Sequence, residues 1–525
     1  MKKNIKNSLL YILACGILCA NSCGSRSEDE PVVVNPADAP AGTLIDVNIG
    51  LPTTGYTETD TKANTYAQIT EDNVTSAVEV ERIIDPSDDY QLRNGVHYKV
   101  VAYKKIDNKY IFQKSNDFVV GDNNKISLNK SQNYTVIIYS LDTYDVLPDL
   151  DNQQEFDNAF FKINSADEKS TPILMYQRID DFIPDGKNNL NIKLEPKISK
   201  IRFTIDASDF YGGNNAGVIT NLKDVKLSYS KYRDAKLKIS DKSNQLIFNG
   251  DDIKTLDISN FSSDSNKKAS EWINLPVNTS KNAGNIKLNA EITVDGIKSD
   301  IPYKIDINNV KSGLKQNINL KLELCGLKTE RRGWKQFMCH DLGADYSANP
   351  FKGDIKLHGA RYQWAGVMYV SAEEDLFHPV IDSWDKTTIK PNNTEEEAIW
   401  GGKNPCPENY RILDSDDLGE LSRRKFRKAG NWDSSDLNRG FELDDNQYGK
   451  LFFPTTGFRD TNGKLFNLGE ETNLWARRED YQESEKVKVL RISKDANDRI
   501  NTNVSAQSKK MGFTVRCVKK SIFDY

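Results

Sequence analysis

From Thr43 to about residue 325 the chain is written in short apolar–polar alternations broken by Asn, Asp, Gly and Ser. A period of two places successive side chains on opposite faces of a strand, so this pattern predicts β-sheet almost throughout. At the start of the region Ile45, Val47, Ile49 and Leu51 alternate with Asp46, Asn48 and Gly50, which reads as a strand with one buried face. Similar runs follow, among them HYKVVAY from 97, YTVIIYS from 134, NLNIKL from 189, IRFTIDAS from 201, IKLNAEITV from 286 and INLKLEL from 318. Two of them share Tyr-x-Val-x-x-Tyr, 36 residues apart. They are expected to be equivalent strands of one sandwich, with Tyr98, Val100, Tyr134 and Val136 facing inward. Short strands at such spacing argue for β-sandwiches. Pro196 sits between two of the runs and cannot donate to a central ladder, so a crossover is expected there. This gives one unit over 43–195 and a second over 196–326.

Beyond residue 326 the composition shifts. Six of the seven Trp lie there (Trp334, Trp364, Trp384, Trp400, Trp432 and Trp475), and a third, differently built domain over 327–525 is expected. Its clearest helical candidate is Ser415 to Lys428, with Ser415 as N-cap, acids in the first turn and bases in the last.

The N-terminus carries a separate signal. Lys2, Lys3 and Lys6 precede a ten-residue apolar run, Leu9 to Leu18, too short to span a bilayer but suited to a signal-peptide core. Ala20, Asn21, Ser22 and Cys23 resemble a bacterial lipobox, although Ala20 stands where Leu is usual. The resemblance implies a lipoprotein signal peptide over 1–22 and a lipid on Cys23; the alternative is an ordinary cleaved signal with a chance Cys. Residues 23–42 are rich in Pro, Ala and acids, as in a flexible linker, and their acidic start resembles the surface-export tag of Bacteroidetes lipoproteins. No later segment is apolar enough for a transmembrane helix. The expected location is the cell surface, held to the outer membrane through the lipid. The net charge of −5 offers no basic footprint for nucleic acid.

Two family resemblances extend this reading. The early strand followed by Thr61-Lys62-Ala63, the Tyr-rich strand at 134 and the crossover LEPKISKIRFTI together resemble Bacteroidetes fimbrillin-type proteins. That implies two tandem transthyretin-like β-sandwiches. The C-terminal part carries five blocks in order: FMCHDLGAD from 337, YQW from 362, NPCPENYRIL from 404, FPTTGFRDTNG from 453 and GFTVRCV from 512. These resemble the Fibrobacter major paralogous domain, which implies an α+β fold of the C-type-lectin kind. Leu474-Trp475-Ala476 departs from the Trp-Ser-Ser/Thr usual in that family. The combination resembles tip or accessory subunits of type V pili, with other fimbrial subunits and a host protein or glycan as implied partners. In that class a protease removes the first strand and another subunit's strand replaces it. The implied plug is Ile45, Val47, Ile49 and Leu51, with cleavage near Lys62 or, failing that, Arg82. The short chain beyond the last strand, ending soon after Phe523, is expected to accept a strand rather than donate one.

Within the resembled domain, Cys406 and Cys517 are expected to form a disulfide; Cys325 and Cys339 pair at the domain seam or remain buried thiols. A catalytic role for Cys339 has only the adjacent His340 in its favour. The acids at Asp414, Asp416 and Asp417 and at Glu373, Glu374 and Asp375 lack the spacing of a calcium loop. No nucleophile elbow, phosphate-binding loop or zinc motif is present. The chain is therefore read as a non-enzyme without cofactor or metal. The competing reading is a surface glycan-binding lipoprotein that captures nutrients.

Overall fold

The computed structural model describes residues 41–521 except 50–52, 55–61, 67–75, 85–91, 164–171, 188, 232–233, 250–251, 276–285, 299–302, 308–309, 311–312, 330–332, 367–368, 371–377, 387–398, 434, 436, 444–448 and 480–484. Cys23, Leu51, Glu373, Glu374 and Asp375 lie outside the described residues. The described chain is mainly β, with one α-helix, and no described helix is long and apolar enough to cross a membrane.

The first sandwich is built on a six-stranded sheet. His97–Ile106 and Tyr134–Ser140, the two strands with the shared Tyr pattern, lie side by side inside it, antiparallel. Tyr98, Val100, Tyr134 and Val136 face a core that also holds Val47, Ile126, Leu128 and Leu194. The opposite faces of the same strands are buried as well. Val101, Tyr103, Ile137 and Tyr139 pack on a second core with Phe156, Phe161, Ala235 and Leu237. A strand buried on both faces loses the apolar–polar alternation that a one-sided sheet imposes, which is why VVAY and VIIY read as continuous apolar runs.

The second core is closed by a three-stranded sheet in the order Leu246–Asn249, Asp234–Lys238, Phe160–Ile163. Two of those strands come from beyond residue 195, in the unit expected to be separate. The exchange runs the other way too. Ser76–Ile84 pairs along its whole length with Lys315–Leu324, and Lys62–Tyr66 pairs with Ser76–Ile84 at the sheet edge. Val78 and Val80 thereby join Ile201, Phe203, Leu288 and Leu320 in the core of the second sandwich. The two units do not divide at one point in the chain: each lends strands to the other. Alternation in 76–84 marks a buried face, but not the sheet that buries it.

The crossover at Pro196 runs between sheets. Lys193–Pro196 ends in the first, and Ser199–Asp206 begins the second, parallel to Lys315–Leu324.

The C-terminal domain has its own core around Trp364, Trp400, Trp475, Phe441, Phe453 and Leu490, flanked by an eight-stranded sheet and several short ones. Its helix is shorter than expected and starts from a different cap. Asp414, not Ser415, is the N-cap; its carboxylate accepts from Asp417 N–H while the Asp417 carboxylate accepts from Asp414 N–H. The helix Ser415–Ser422 stops at Arg423, and Phe426–Gly430 is a strand paired with Arg439–Leu443. Burying Phe426 against Phe453 outweighs the helical charge pattern of 423–428.

Candidate assembly site and the C-terminal core

Among the described residues Leu44–Asn48 is a short strand whose ladder is with Lys125–Asn129, antiparallel; its last carbonyl, Asn48 O, also accepts from Leu190 N–H at 3.0 Å. Its burial alternates, with Ile45 and Val47 inside and Leu44, Asp46 and Asn48 outside. Gly42 N–H donates to Lys130 O at 2.8 Å, and Ile49 N–H donates to Asn124 O at 3.0 Å, so the pairing continues at both ends. Asp46 accepts from the Ser127 hydroxyl at 2.7 Å on the solvent side. At Ile49, half-buried against the same core, the chain turns to meet Leu190 in a parallel bridge. Thr53–Thr54 then runs parallel to Lys193 and Leu194. Among the described residues one ladder, two buried side chains and the single hydrogen bond from Leu190 to Asn48 O hold the strand. Full burial of such side chains is worth about 1.5–3 kcal/mol each.

Lys62 is the first residue of Lys62–Tyr66, the outermost strand of its sheet. Arg82 lies within Ser76–Ile84, hydrogen-bonded to strands on both sides.

The five C-terminal sequence blocks converge in space, and their polar residues serve the interior. Arg516 and Asp341 are fully buried and joined at 2.7 Å. The rest of the Arg516 guanidinium donates to the carbonyls of Met338 (3.0 Å), Cys339 (3.1 Å) and Phe452 (3.0 Å), tying the last block to the first and to the residue just before the fourth. Arg411 binds Asp417 at 2.6 Å, and Lys335 reaches the other oxygen of the same carboxylate. Burial alone would raise the Asp417 carboxyl; Arg411 and Lys335 outweigh it and hold the group below the usual carboxylate range. Arg459 donates to Gly463 O at 2.6 Å and His378 O at 2.7 Å, fixing the FRDTNG turn.

Cys406 is bonded to Cys517, and Cys325 to Cys339. Cys339 is thus not a thiol in this structure. Its neighbour His340 is buried, with Nε2 at 2.9 Å from Ala348 O and its pKa pushed down to about 4, chiefly by burial. Burial likewise pushes His358 down to about 3. Asp414 and Asp417 face Arg411 and Lys335 and cap the helix, so the cations that neutralise them belong to the protein. Leu474, Trp475 and Ala476 are core residues of Glu471–Glu479; Trp475 Nε1 donates to Tyr362 O at 2.7 Å. The departure from the family pattern falls on a packed strand and not on a loop.

The residues that sequence reading missed as a set are Arg411, Asp417, Asp341 and Arg516. The available signal was an Arg inside otherwise apolar strand blocks, YRIL and TVRCV. A buried Arg needs a partner, but the pairing of 341 with 516 crosses the whole domain.

No known family matches the chain, and no curated protein does. Solved structures show partial likeness. A candidate cell adhesion protein from Bacteroides uniformis is 11% identical over 51% of this chain and 98% of its own, with a TM-score of 0.26. A C-terminally truncated tip fimbrial protein from Porphyromonas gingivalis is 12% identical over 51% of this chain and 82% of its own, at 0.24. A candidate polysaccharide-binding protein from Bacteroides thetaiotaomicron is 11% identical over 43% of this chain and 83% of its own, at 0.26. Superpositions this partial fix neither fold nor function.

Proposed function

We propose that this chain is a tip or accessory subunit of a fimbria, assembled by strand exchange and used for adhesion, with two transthyretin-like sandwiches and a lectin-like C-terminal domain. The observation that carries the reading is the first strand. Leu44–Asn48 has one ladder, an alternating plug of Ile45 and Val47, and a core directly beneath it. A strand held in this way can be replaced by one of equal pattern: main-chain hydrogen bonds supply affinity, and alternate side chains in pockets set the register. Ile49 and Leu51 would extend the plug.

Of the two cleavage positions, Lys62 lies on the strand held by fewer ladders among the described residues. A protease binds its substrate as an extended chain, and an edge strand opens by breaking one ladder. Opening at Arg82 breaks two. Cleavage at Lys62 would release everything before it, including Leu44–Asn48, and leave Ser76–Ile84 in the second sandwich. The lipid on Cys23 would then serve export and be lost with the released segment.

N-terminal sequencing of the fimbria-associated protein tests the reading. A mature chain that begins just after residue 62 is the expected result. A fimbria-associated chain that still begins at Cys23 would end the strand-exchange proposal and leave the lipid-anchored, glycan-binding alternative.

A further inference from the structure

Six of the seven Trp belong to the C-terminal region; the seventh, Trp272, stands on the outer face of the second sandwich. Ile201 and Ile273 are register partners and face the core, so their neighbours Arg202 and Trp272 project outward side by side. Lys200 lies two residues along the same strand, and Lys315 is its register partner on the next. All three cations converge on the half-buried indole. The Arg202 guanidinium is 4.7 Å, the Lys315 ammonium 4.9 Å and the Lys200 ammonium 5.9 Å from the ring centroid. Arg202 Nε also donates to Asn317 Oδ1 at 3.2 Å, which fixes the guanidinium.

Trp272 also lines a shallow surface depression with Asp257, Ser259, Asn260 and Glu271. Asn260 Nδ2 donates to Glu271 Oε1 at 3.0 Å. An exposed amide beside a carboxylate offers one donor group and one acceptor group, the pair that reads neighbouring hydroxyls. The aromatic ring therefore has a cationic flank and a hydroxyl-reading flank.

We propose that this face binds an acidic sugar within a glycan. Its carboxylate meets Arg202, Lys315 and Lys200; its hydroxyls meet Asn260 and Glu271; and its C–H surface lies against Trp272. A planar guanidinium suits a carboxylate in two-point contact. Asp257 and Glu271 repel a polymer that is anionic along its whole length without hydroxyls to offer, such as an acidic peptide. The site stands on its own geometry and does not depend on strand exchange.

The test is calorimetric titration of the full mature chain with galacturonate, sialyl and hyaluronate oligosaccharides, with a neutral galactose oligomer and oligoglutamate as controls. At least one acidic oligosaccharide is expected to bind at low salt and to weaken as salt rises. Trp272→Ala should weaken it by tenfold or more. Arg202→Gln and Lys315→Gln, both half-buried on the outer face, should each weaken it severalfold and flatten the salt dependence, with the thermal transition little changed. Failure of all three acidic oligosaccharides to bind, binding that all three substitutions leave unchanged, or equal binding of oligoglutamate or the neutral oligomer would overturn the proposal. Incorporation into fimbriae is a separate readout, so the outcome leaves the assembly reading untouched.

Discussion

The core of the second sandwich is mostly aliphatic, from Val78 and Val80 through Ile201, Leu288 and Ile318 to Leu324, and the polar residues buried in that unit, such as Ser199, Asp206, Gln316 and Glu323, include no Arg or His among the described residues. The C-terminal domain closes instead over Arg361, Arg411, Arg459, Arg516, Asp341, Asp417, His340 and His358, and has two disulfides within it or at its edge. The sandwiches have regular sheets whose ladders satisfy the backbone. The C-terminal domain has many short strands and loops, so many of its carbonyls have no ladder partner. Buried guanidinium groups take that role, as Arg516 does for Met338, Cys339 and Phe452. Irregular backbone buried away from water calls for polar side chains to satisfy it. The sandwiches are joined differently, by exchanged strands with no disulfide between them among the described residues, and they begin with the peripheral strand Leu44–Asn48, whose ladder is with Lys125–Asn129.

The largest expected effect concerns that exchange. A fragment of residues 43–195 lacks the strands at 234–249 that close its second core, and a fragment of 196–326 lacks Ser76–Ile84. Each is expected to fail to fold alone, giving no cooperative thermal transition and collapsed amide NMR dispersion. A fragment beginning at 325 should keep a cooperative transition, because its core draws little from outside. A folded 43–195 fragment would show that the exchange is dispensable and remove the contrast.

Next is the covalent contrast. Cys406→Ser with Cys517→Ser opens a link across a sequence separation of 111 residues. Chain-entropy reasoning puts the loss at about 4 kcal/mol. Calorimetry should show the C-terminal transition moving down by many degrees while the sandwich transition stays in place. Movement of both by the same amount would mean that the three units unfold as one.

A smaller effect separates them by pH. His340 and His358 have folded pKa values of about 4 and about 3, below the ordinary 6.5. The unfolded chain therefore binds protons first as pH falls below 6.5, and stability drains from there down through the folded values. The contribution, on the order of a few kcal/mol, is complete above pH 6.5. Chemical unfolding followed by Trp fluorescence, which reports mainly on the C-terminal domain, should show its midpoint falling between pH 6.5 and 4. His358→Leu should reduce that slope. A midpoint flat over this range would mean that the two rings are not held neutral.

How far each region could be read from its sequence follows the same division. The strands at 45, 98 and 134 were legible because a pleated strand has a fixed period and the apolar residues obey it. That the sheet holding Val101 and Ile137 is buried on both faces was legible only as unbroken apolar runs. The helix at Ser415–Ser422 was visible, but its end was not: the charge pattern of 423–428 favours helix, and the burial of Phe426 overrides it. In the C-terminal domain the blocks were visible as blocks, while Arg516 with Asp341 and Arg411 with Lys335 were not visible as ionic clusters. The cation cluster at Trp272 left no mark in the sequence, because its cations come from two strands and the Trp from just before a third.

What the sequence determined by itself is local: strand period, the Pro196 crossover, the alternating plug of Ile45 and Val47, and the abrupt change of composition after residue 326. What only the tertiary structure decided is which sheet receives each strand, which charge meets which, and which Trp stays outside. Period and turn chemistry act over a few residues, so they are written where they act. A strand's apolar face is satisfied equally by any complementary sheet, and a buried charge by any opposite charge within reach. The choice among those partners is made only when the whole chain has packed.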